Sequence, residues 1–127
     1  MLRRLILLLF LLACCGSALA QQLEVDLIGG RESALPIAVV TMPYQGSGTA
    51  PETDVAAVLR ADLERSGAFR NLPEASMVER PVRGSEVQFP TWRALKQDYL
   101  VVGRVVDASG GGFRVEYELF DVAKQER

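Results

Sequence analysis

The side chains that most often carry out catalysis are scarce in this chain. Its 127 residues include no histidine, and its two cysteines, Cys14 and Cys15, both lie near the amino terminus. Histidine is the commonest general base and metal ligand, and a cysteine thiolate is the usual sulfur nucleophile. A serine such as Ser66 therefore has no histidine to activate it, and only Lys96 and Lys124 could replace one. We predict a protein that is not an enzyme and needs no cofactor.

Two glycine-rich segments and one carboxylate pair raise the question of ligand binding. Gly46-Ser47-Gly48 stands between a predicted strand and a predicted helix, but it lacks the G-x-G-x-x-G spacing and the lysine of a phosphate loop. Gly110-Gly111-Gly112 is typical of a hairpin turn with positive φ. Glu116 and Glu118 share one strand face, which we expect to face solvent rather than a metal ion.

The first twenty residues have the pattern of a secretory signal peptide. Two arginines precede an apolar run over residues 5–13, and small residues follow at Ala18 and Ala20. This pattern predicts cleavage after Ala20 and a mature chain that begins at Gln21. The apolar run is shorter than the ~20 residues that a membrane-spanning helix needs, so we expect no direct membrane insertion.

An alternative leader cleavage starts from Leu11-Leu12-Ala13-Cys14, which is similar to the site at which bacterial lipoproteins are cut and acylated. That processing would make the protein a lipoprotein anchored through Cys14, with a role in outer-membrane assembly. The second cysteine immediately after Cys14, and the small residues of the later site, favour simple cleavage.

The charge distribution argues against nucleic acid as a partner. The chain has 14 basic and 16 acidic residues, a net charge of −2, and the two signs are interspersed rather than gathered into a basic stripe. A protein that binds a polyanion needs such a stripe. We predict an ordinary solvated surface.

The segment after the leader is an amphipathic arm. Residues 23–27 alternate apolar and acidic side chains with a period of two, as in a strand with one apolar face, and Gly29 and Gly30 follow as a candidate hinge. Such a strand either pairs within its own sheet or is donated to another protein, where Leu23, Val25 and Leu27 would fill pockets. The pattern leaves both possibilities open.

The remaining chain alternates strands and helices. The apolar run 36–40 predicts a buried strand. A helix is predicted from about Glu52 to Ser66, with Thr49 or Ala50 near its cap and Gly67 as its stop. Its sheet-facing residues are predicted to be Val55, Val58, Leu59 and Leu63.

The second half of the chain predicts a return strand and a hairpin. Residues 69–72 form the return strand of a β-α-β unit, and residues 91–97 form a short helix with Trp92 and Leu95 inward. Residues 99–106 and 113–122 are the strands of an antiparallel hairpin with one wet face.

Four sequence blocks together resemble the amino-terminal domain of the TolB family. They are Pro36-Ile37-Ala38-Val39-Val40, then Asp62-Leu63-Glu64-Arg65-Ser66-Gly67-Ala68-Phe69, then Trp92 ahead of Tyr99-Leu100-Val101-Val102-Gly103, and finally Val115-Glu116-Tyr117-Glu118-Leu119-Phe120-Asp121-Val122. Their order and spacing cover essentially the whole chain after the leader.

The resemblance implies a non-catalytic periplasmic adaptor of the Tol-Pal system. Such an adaptor links TolA of the inner membrane to Pal of the outer membrane, and supports outer-membrane integrity and constriction during division. In the family the mature amino terminus binds the TolA C-terminal domain. The corresponding residues here are Gln21, Gln22, Leu23, Glu24, Val25, Asp26, Leu27 and Ile28, with Gly29 and Gly30 as the hinge. Pal would bind only through a β-propeller, which we do not expect in this chain.

We therefore expect a single small α/β domain with an α+β-like mixed sheet, packed by one long and one short helix and incomplete at its C-terminus. Residues 1–20 are the expected signal peptide, residues 21–34 the arm and hinge, and residues 35–127 the TolB-like domain. A Rossmann-like periplasmic domain that binds a small ligand is the alternative, because a β-α-β unit alone does not specify a function.

Overall fold

The computed structural model describes residues 33–127, so the expected leader and all of the arm and hinge before Ser33 lie outside the described residues. Its strands are β1 (Leu35–Val39), β2 (Phe69–Asn71), β3 (Tyr99–Asp107) and β4 (Phe113–Asp121). Its helices are α1 (Val55–Arg65) and α2 (Phe89–Ala94), with 3-10 turns at Glu74–Ser76 and Gly84–Glu86.

The four strands form one mixed sheet in the order β2-β1-β3-β4. Strands β2 and β3 run parallel to β1, and β4 runs antiparallel to β3. The central strand β1 has a continuous apolar sequence because side chains on both its faces are buried. The predicted α/β class, with a mixed sheet and one long and one short helix, is confirmed.

Two apolar clusters lie on opposite faces of the sheet. The larger is centred on Trp92, which is fully buried among residues of all three long strands and of the segment 73–98. The smaller lies under α1, where Ala56 packs against Ile37, Val39 and Val101. The domain therefore has three layers, with the sheet in the middle.

Helix α1 begins three residues later than the sequence predicted. Asp54 is its N-cap, and the Asp54 carboxylate accepts a hydrogen bond from the Ala57 N–H at 3.0 Å. This side chain satisfies a free N–H of the first turn, so the helix begins there rather than at Glu52. The predicted stop is confirmed, because Gly67 follows the helix with φ +73°.

The inward face of α1 also differs from the prediction. Ala56 is completely buried, whereas Val58 is 49% exposed and so does not pack under the helix as predicted. Val55, Leu59 and Leu63 are partly buried, as the spacing indicated. The buried stripe is therefore rotated toward the small residue, which lets the helix approach the sheet closely.

Helix α2 covers residues 89–94 instead of the predicted 91–97. Pro90 lies in its first turn, a position where the ring costs no hydrogen bond and helps to begin the helix. Lys96 has φ +57°, which ends the helix before the predicted residue. Trp92 is buried as predicted, and Leu95 packs against the same cluster.

Candidate partner-binding surface

The predicted arm, Gln21 to Ile28, lies outside the described residues, as do the hinge at Gly29 and Gly30 and the processing residues Cys14, Ala18 and Ala20. These assignments therefore stay predictions. The structure does describe where the arm joins the domain. Ala34 is buried, and the Leu35 N–H donates to the Ala68 carbonyl at 2.9 Å. The arm thus enters the fold at the start of the central strand.

An apolar groove of about 690 Å³ runs along the sheet face beside α1 and passes this entry point. Leu35 and Phe69 line it at the β1 and β2 side, and Val115, Tyr117 and Leu119 line it at the β4 side. The groove lies on a face of the sheet. A small-ligand site of a doubly wound fold lies instead at the carboxyl ends of the strands, so the groove does not support that alternative.

The loop from Tyr44 to Gly48 lies at the carboxyl ends of β1 and β3 and is held there by hydrogen bonds. The Tyr44 hydroxyl donates a hydrogen bond to Asp107 Oδ1. The Ser47 N–H and hydroxyl donate to Asp107 Oδ2 at 2.9 and 3.1 Å, and the Gly48 N–H donates to the Tyr44 hydroxyl at 2.9 Å. A phosphate loop needs free N–H groups. Here the Ser47 N–H is bound to a carboxylate that would repel an anion, and the Gly48 N–H is bound to the Tyr44 hydroxyl.

The same contacts set the acidity of the two partners in this loop. The Tyr44 hydroxyl donates to Asp107, which raises the pKa of the tyrosine above its usual 10.0. The bond from Tyr44, followed by that from the Ser47 N–H, holds the pKa of Asp107 below its usual 3.8. Both shifts mean that Asp107 stays ionised and accepts hydrogen bonds while Tyr44 stays protonated. These two side chains therefore have a structural role rather than one in proton transfer.

Glu116 and Glu118 of β4 were predicted to face solvent, but in the structure both carboxylates have bound partners. Glu116 pairs with Arg104 on β3 and with Arg114 at 2.9 Å. Glu118 accepts the Gly84 N–H at 2.6 Å and Arg127 at 2.7 Å, and this backbone bond is the main cause that lowers the pKa of Glu118. Neither is a free solvent-facing carboxylate. Arginines of β3 and β4 hold Glu116, whereas the Gly84 backbone and Arg127 hold Glu118.

The apolar residues of β4 take the exposed side instead. Phe113, Val115, Tyr117 and Leu119 are between 39% and 66% exposed. Their alternation was visible in the sequence, but nothing in the alternation itself distinguishes a covered face from an open one. Phe120, on the side of the glutamates, is the β4 residue that joins the Trp92 cluster.

The remaining chemical candidates are structural. The Ser66 hydroxyl donates to the Leu63 carbonyl at 2.5 Å and accepts the Ala68 N–H, so it closes the end of α1. Lys124 lies 3.5 Å from an Asp121 oxygen. Within residues 33–127 no three histidine, cysteine, aspartate or glutamate side chains are grouped as a metal site would require. None of the helices in this range has the length and apolar character to cross a membrane.

Comparison with known proteins decides the family. Residues 23–127 match the model of the TolB amino-terminal domain. The chain belongs to the TolB family. The Tol-Pal system protein TolB of Xanthomonas euvesicatoria pv. vesicatoria is 70% identical over 113 residues, which are 87% of this chain. TolB of Xanthomonas campestris pv. campestris is 69% identical over the same length.

A solved structure of the TolB family has the same fold. The crystal structure of TolB from Acinetobacter baumannii matches 73% of this chain with a TM-score of 0.54 and 28% identity. The resemblance to the TolB family is thereby confirmed. The chain spans 26% of the Xanthomonas proteins and 21% of the Acinetobacter chain.

Proposed function

We propose that this chain serves a Tol-Pal system as a non-catalytic periplasmic adaptor. The observation that supports this proposal most strongly is the 70% identity to Tol-Pal system TolB proteins, together with the family match over residues 23–127. The described side chains support a role without catalysis. Ser66, Asp107, Glu116 and Glu118 each have a structural partner, and these partners account for their positions.

The proposed contact with TolA is the addition of a strand. Residues 21–28 would pair through their backbone with an edge of the TolA C-terminal domain, and Leu23, Val25 and Leu27 would fill its pockets. The described domain is suited to carry such an arm. The arm would join the fold through buried Ala34 and the central strand, which would give it a fixed base, and Gly29 and Gly30 would serve as its hinge.

The wider role of the system follows from the same proposal. The leader would direct the chain to the periplasm, where the protein would connect TolA to Pal. Pal would bind through a β-propeller outside residues 33–127. Outer-membrane integrity and constriction during division would depend on that connection.

The direct test is a titration of the TolA C-terminal domain with the full chain and with Val25→Asp. A charge at the centre of the apolar row should abolish saturable binding, because it would be buried without a partner in the complex. Val78→Asp is a matched control, since Val78 is 72% exposed within the folded domain. Equal binding by both variants, or none by the natural chain, would refute the arm as the contact.

Processing of the leader has its own test. Mass spectrometry of the protein from the periplasm should find a chain that begins at Gln21. A diacylglyceryl mass on Cys14 would instead establish the lipoprotein alternative and a membrane anchor.

A further inference from the structure

The segment before α2 forms a strap over the sheet face opposite α1. We give this name to residues 82–86, which lie between buried Pro81 and buried Val87 and are not themselves buried. The strap rests on Phe120 of β4, because a methyl group at Gly84 would lie 2.6 Å from the Phe120 ring. The Phe120 side chain is only 7% exposed and belongs to the larger apolar cluster. The backbone of the strap therefore covers an apolar ring.

Two carboxylates hold the strap through its backbone. The Gly84 N–H donates to Glu118 Oε2 at 2.6 Å. Glu86 Oε2 accepts the Val82 N–H at 2.7 Å and the Arg83 N–H at 3.4 Å. Three successive N–H groups thus bind oxygens that can take up a proton, whereas the N–H groups of a strand ladder bind carbonyl oxygens. The hydrogen bonds of the strap therefore depend on the ionisation of two glutamates.

The strap in turn acidifies both glutamates. The Val82 N–H is the main cause that lowers the pKa of Glu86 below its usual 4.5, and the Gly84 N–H is the main cause for Glu118. A hydrogen bond that favours the ionised form of a group is itself weakened when that group takes up a proton. Strap closure and ionisation of these two side chains are therefore coupled in both directions.

The other charged groups near the strap leave this coupling to Glu86 and Glu118. Arginine keeps its charge throughout the acid range. The neighbouring arginines are Arg83 in the strap, Arg104 of β3, Arg114 of β4 and Arg127 beyond it. Glu116, a third carboxylate nearby, pairs with Arg104 and Arg114. The side chains of Glu86 and Glu118 are both partly exposed, so protons can reach them.

We propose that the strap is an acid-released cover of Phe120, and that proton uptake by Glu86 and Glu118 opens residues 82–86 while the sheet stays folded. Both groups have a pKa below the usual 4.5 in the closed state. The cover is therefore closed well above that pH and opens as the pH falls through the closed-state values. Opening exposes the Phe120 ring, which packs on Phe89 with centroids 5.6 Å apart. This device does not involve the arm, so it goes beyond the proposed contact with TolA.

The test is hydrogen exchange of the full chain, followed amide by amide from about pH 7 to about pH 4. Each rate is divided by the rate of an unstructured chain at the same pH, which gives a protection factor. Protection of the Val82 and Gly84 amides should fall roughly tenfold over this range, because two charge-assisted bonds become neutral ones. The amides of Leu100 and Val102, in the buried part of β3, should keep their protection.

Glutamine variants show whether the two carboxylates cause the release. The double variant Glu86→Gln with Glu118→Gln keeps the side-chain size and removes both titrating groups. At pH 7 it should already have about tenfold lower protection at Gly84, and that value should no longer change with pH. Glu52→Gln is the control, because Glu52 is exposed and precedes α1. Its strap should respond to acid as in the natural chain.

A glycine variant opens the strap without a change of charge. The methyl group of Gly84→Ala would lie 2.6 Å from the Phe120 ring and 3.0 Å from Glu118 Oε1. The amide of this position should therefore be poorly protected at every pH. Gly48→Ala is the matched control, because its methyl group would lie 3.5 Å from the Tyr44 hydroxyl, at ordinary contact distance. It should leave exchange in the strap unchanged.

Three results would overturn the proposal. Val82 and Gly84 amides that stay as protected as those of Leu100 and Val102 at every pH would show that the strap does not open separately. Absence of protection at pH 7 would show that the strap is not closed at all. A pH dependence that persists in the double glutamine variant would assign the release to other groups.

Discussion

A hydrogen bond from the Tyr44 hydroxyl to the Asp107 carboxylate joins two residues that are 63 positions apart in the sequence. Tyr44 follows β1, and Asp107 is the last residue of β3. A parallel bridge between Tyr44 and Val105 brings the two segments together, and the rings of Tyr44 and Phe113 pack in a T-shaped arrangement with centroids 5.8 Å apart. The loop from Tyr44 to Gly48 is therefore held to the end of β3 by both side-chain and backbone contacts.

Replacement of Asp107 by alanine should release this loop. Three donors lose their acceptor, namely the Tyr44 hydroxyl and the Ser47 N–H and hydroxyl. We expect faster exchange of the Ser47 amide and a melting temperature lower by a few degrees. Asp98→Ala, at another exposed aspartate, should change neither. An unchanged Ser47 exchange rate in Asp107→Ala would show that the loop is held by other contacts.

Gly46→Ala should destabilise the same loop through a steric clash. A methyl group at this position would overlap the Tyr44 hydroxyl and the Asp107 carboxylate. A methyl group at Gly48 would lie 3.5 Å from the Tyr44 hydroxyl, which is ordinary contact. Thermal unfolding of the two variants should therefore give a lower midpoint for Gly46→Ala than for Gly48→Ala. Equal midpoints would contradict the packing described here.

The N-cap of α1 provides a third prediction. Asp54→Ala removes the acceptor of the Ala57 N–H and should lower the free energy of unfolding by about 1 kcal/mol. Asp54→Ser keeps an oxygen in reach of that N–H and should cost much less. Urea unfolding of both variants measures the difference. If the two are equally destabilised, the charge rather than the cap stabilises the helix.

Acid should destabilise the domain through its hydrogen-bonded carboxylates. The Gly84 N–H lowers the pKa of Glu118 below 4.5, and the Tyr44 hydroxyl lowers the pKa of Asp107 below 3.8. A group with a lower pKa in the folded state stabilises the fold above its unfolded pKa. That contribution is lost as the pH falls through the folded value. The free energy of unfolding should thus change little from about pH 7 to 5 and fall below about pH 4.

Fluorescence of Trp92, the single tryptophan, can follow this unfolding because its side chain is fully buried. Glu118→Gln should make the acid limb shallower, since the group that takes up the proton is gone. Glu52→Gln is a suitable control, because Glu52 is exposed and precedes the first helix. Identical acid limbs in both variants would refute the assignment to Glu118.

Local sequence patterns were sufficient for most elements of the fold. The apolar run of β1, the glycine that ends α1 and the alternation of the hairpin each depend on the chain near that residue. All three were predicted and confirmed, including positive φ at Gly110, Gly111 and Gly112. The predicted start of α1 was wrong because the sequence analysis placed the cap near Thr49 or Ala50. In the structure the Asp54 side chain caps the helix by accepting a hydrogen bond from a first-turn N–H.

The candidate partner-binding surface likewise has a part that the sequence predicts and a part that only the structure shows. The arm, its hinge and the cleavage residues are sequence predictions and lie outside the described residues. The groove beside α1 could not be predicted, because it is formed by Leu35, Leu63 and Tyr117, which come from three separate elements. The hydrogen bond from Tyr44 to Asp107 could not be predicted either, because the two residues are far apart in the sequence and no local pattern links them.

The sequence by itself determined that the chain lacks histidine, alternates strands with helices and resembles the TolB family, and it predicts an export-type leader. Only the tertiary structure decided which face of β4 is covered. The alternation requires an apolar side and a charged side, but burial depends on what packs above each. Here the segment 73–98 lies over the charged side, where Gly84 binds Glu118, and α1 lies over β1 and β2 and leaves Tyr117 exposed.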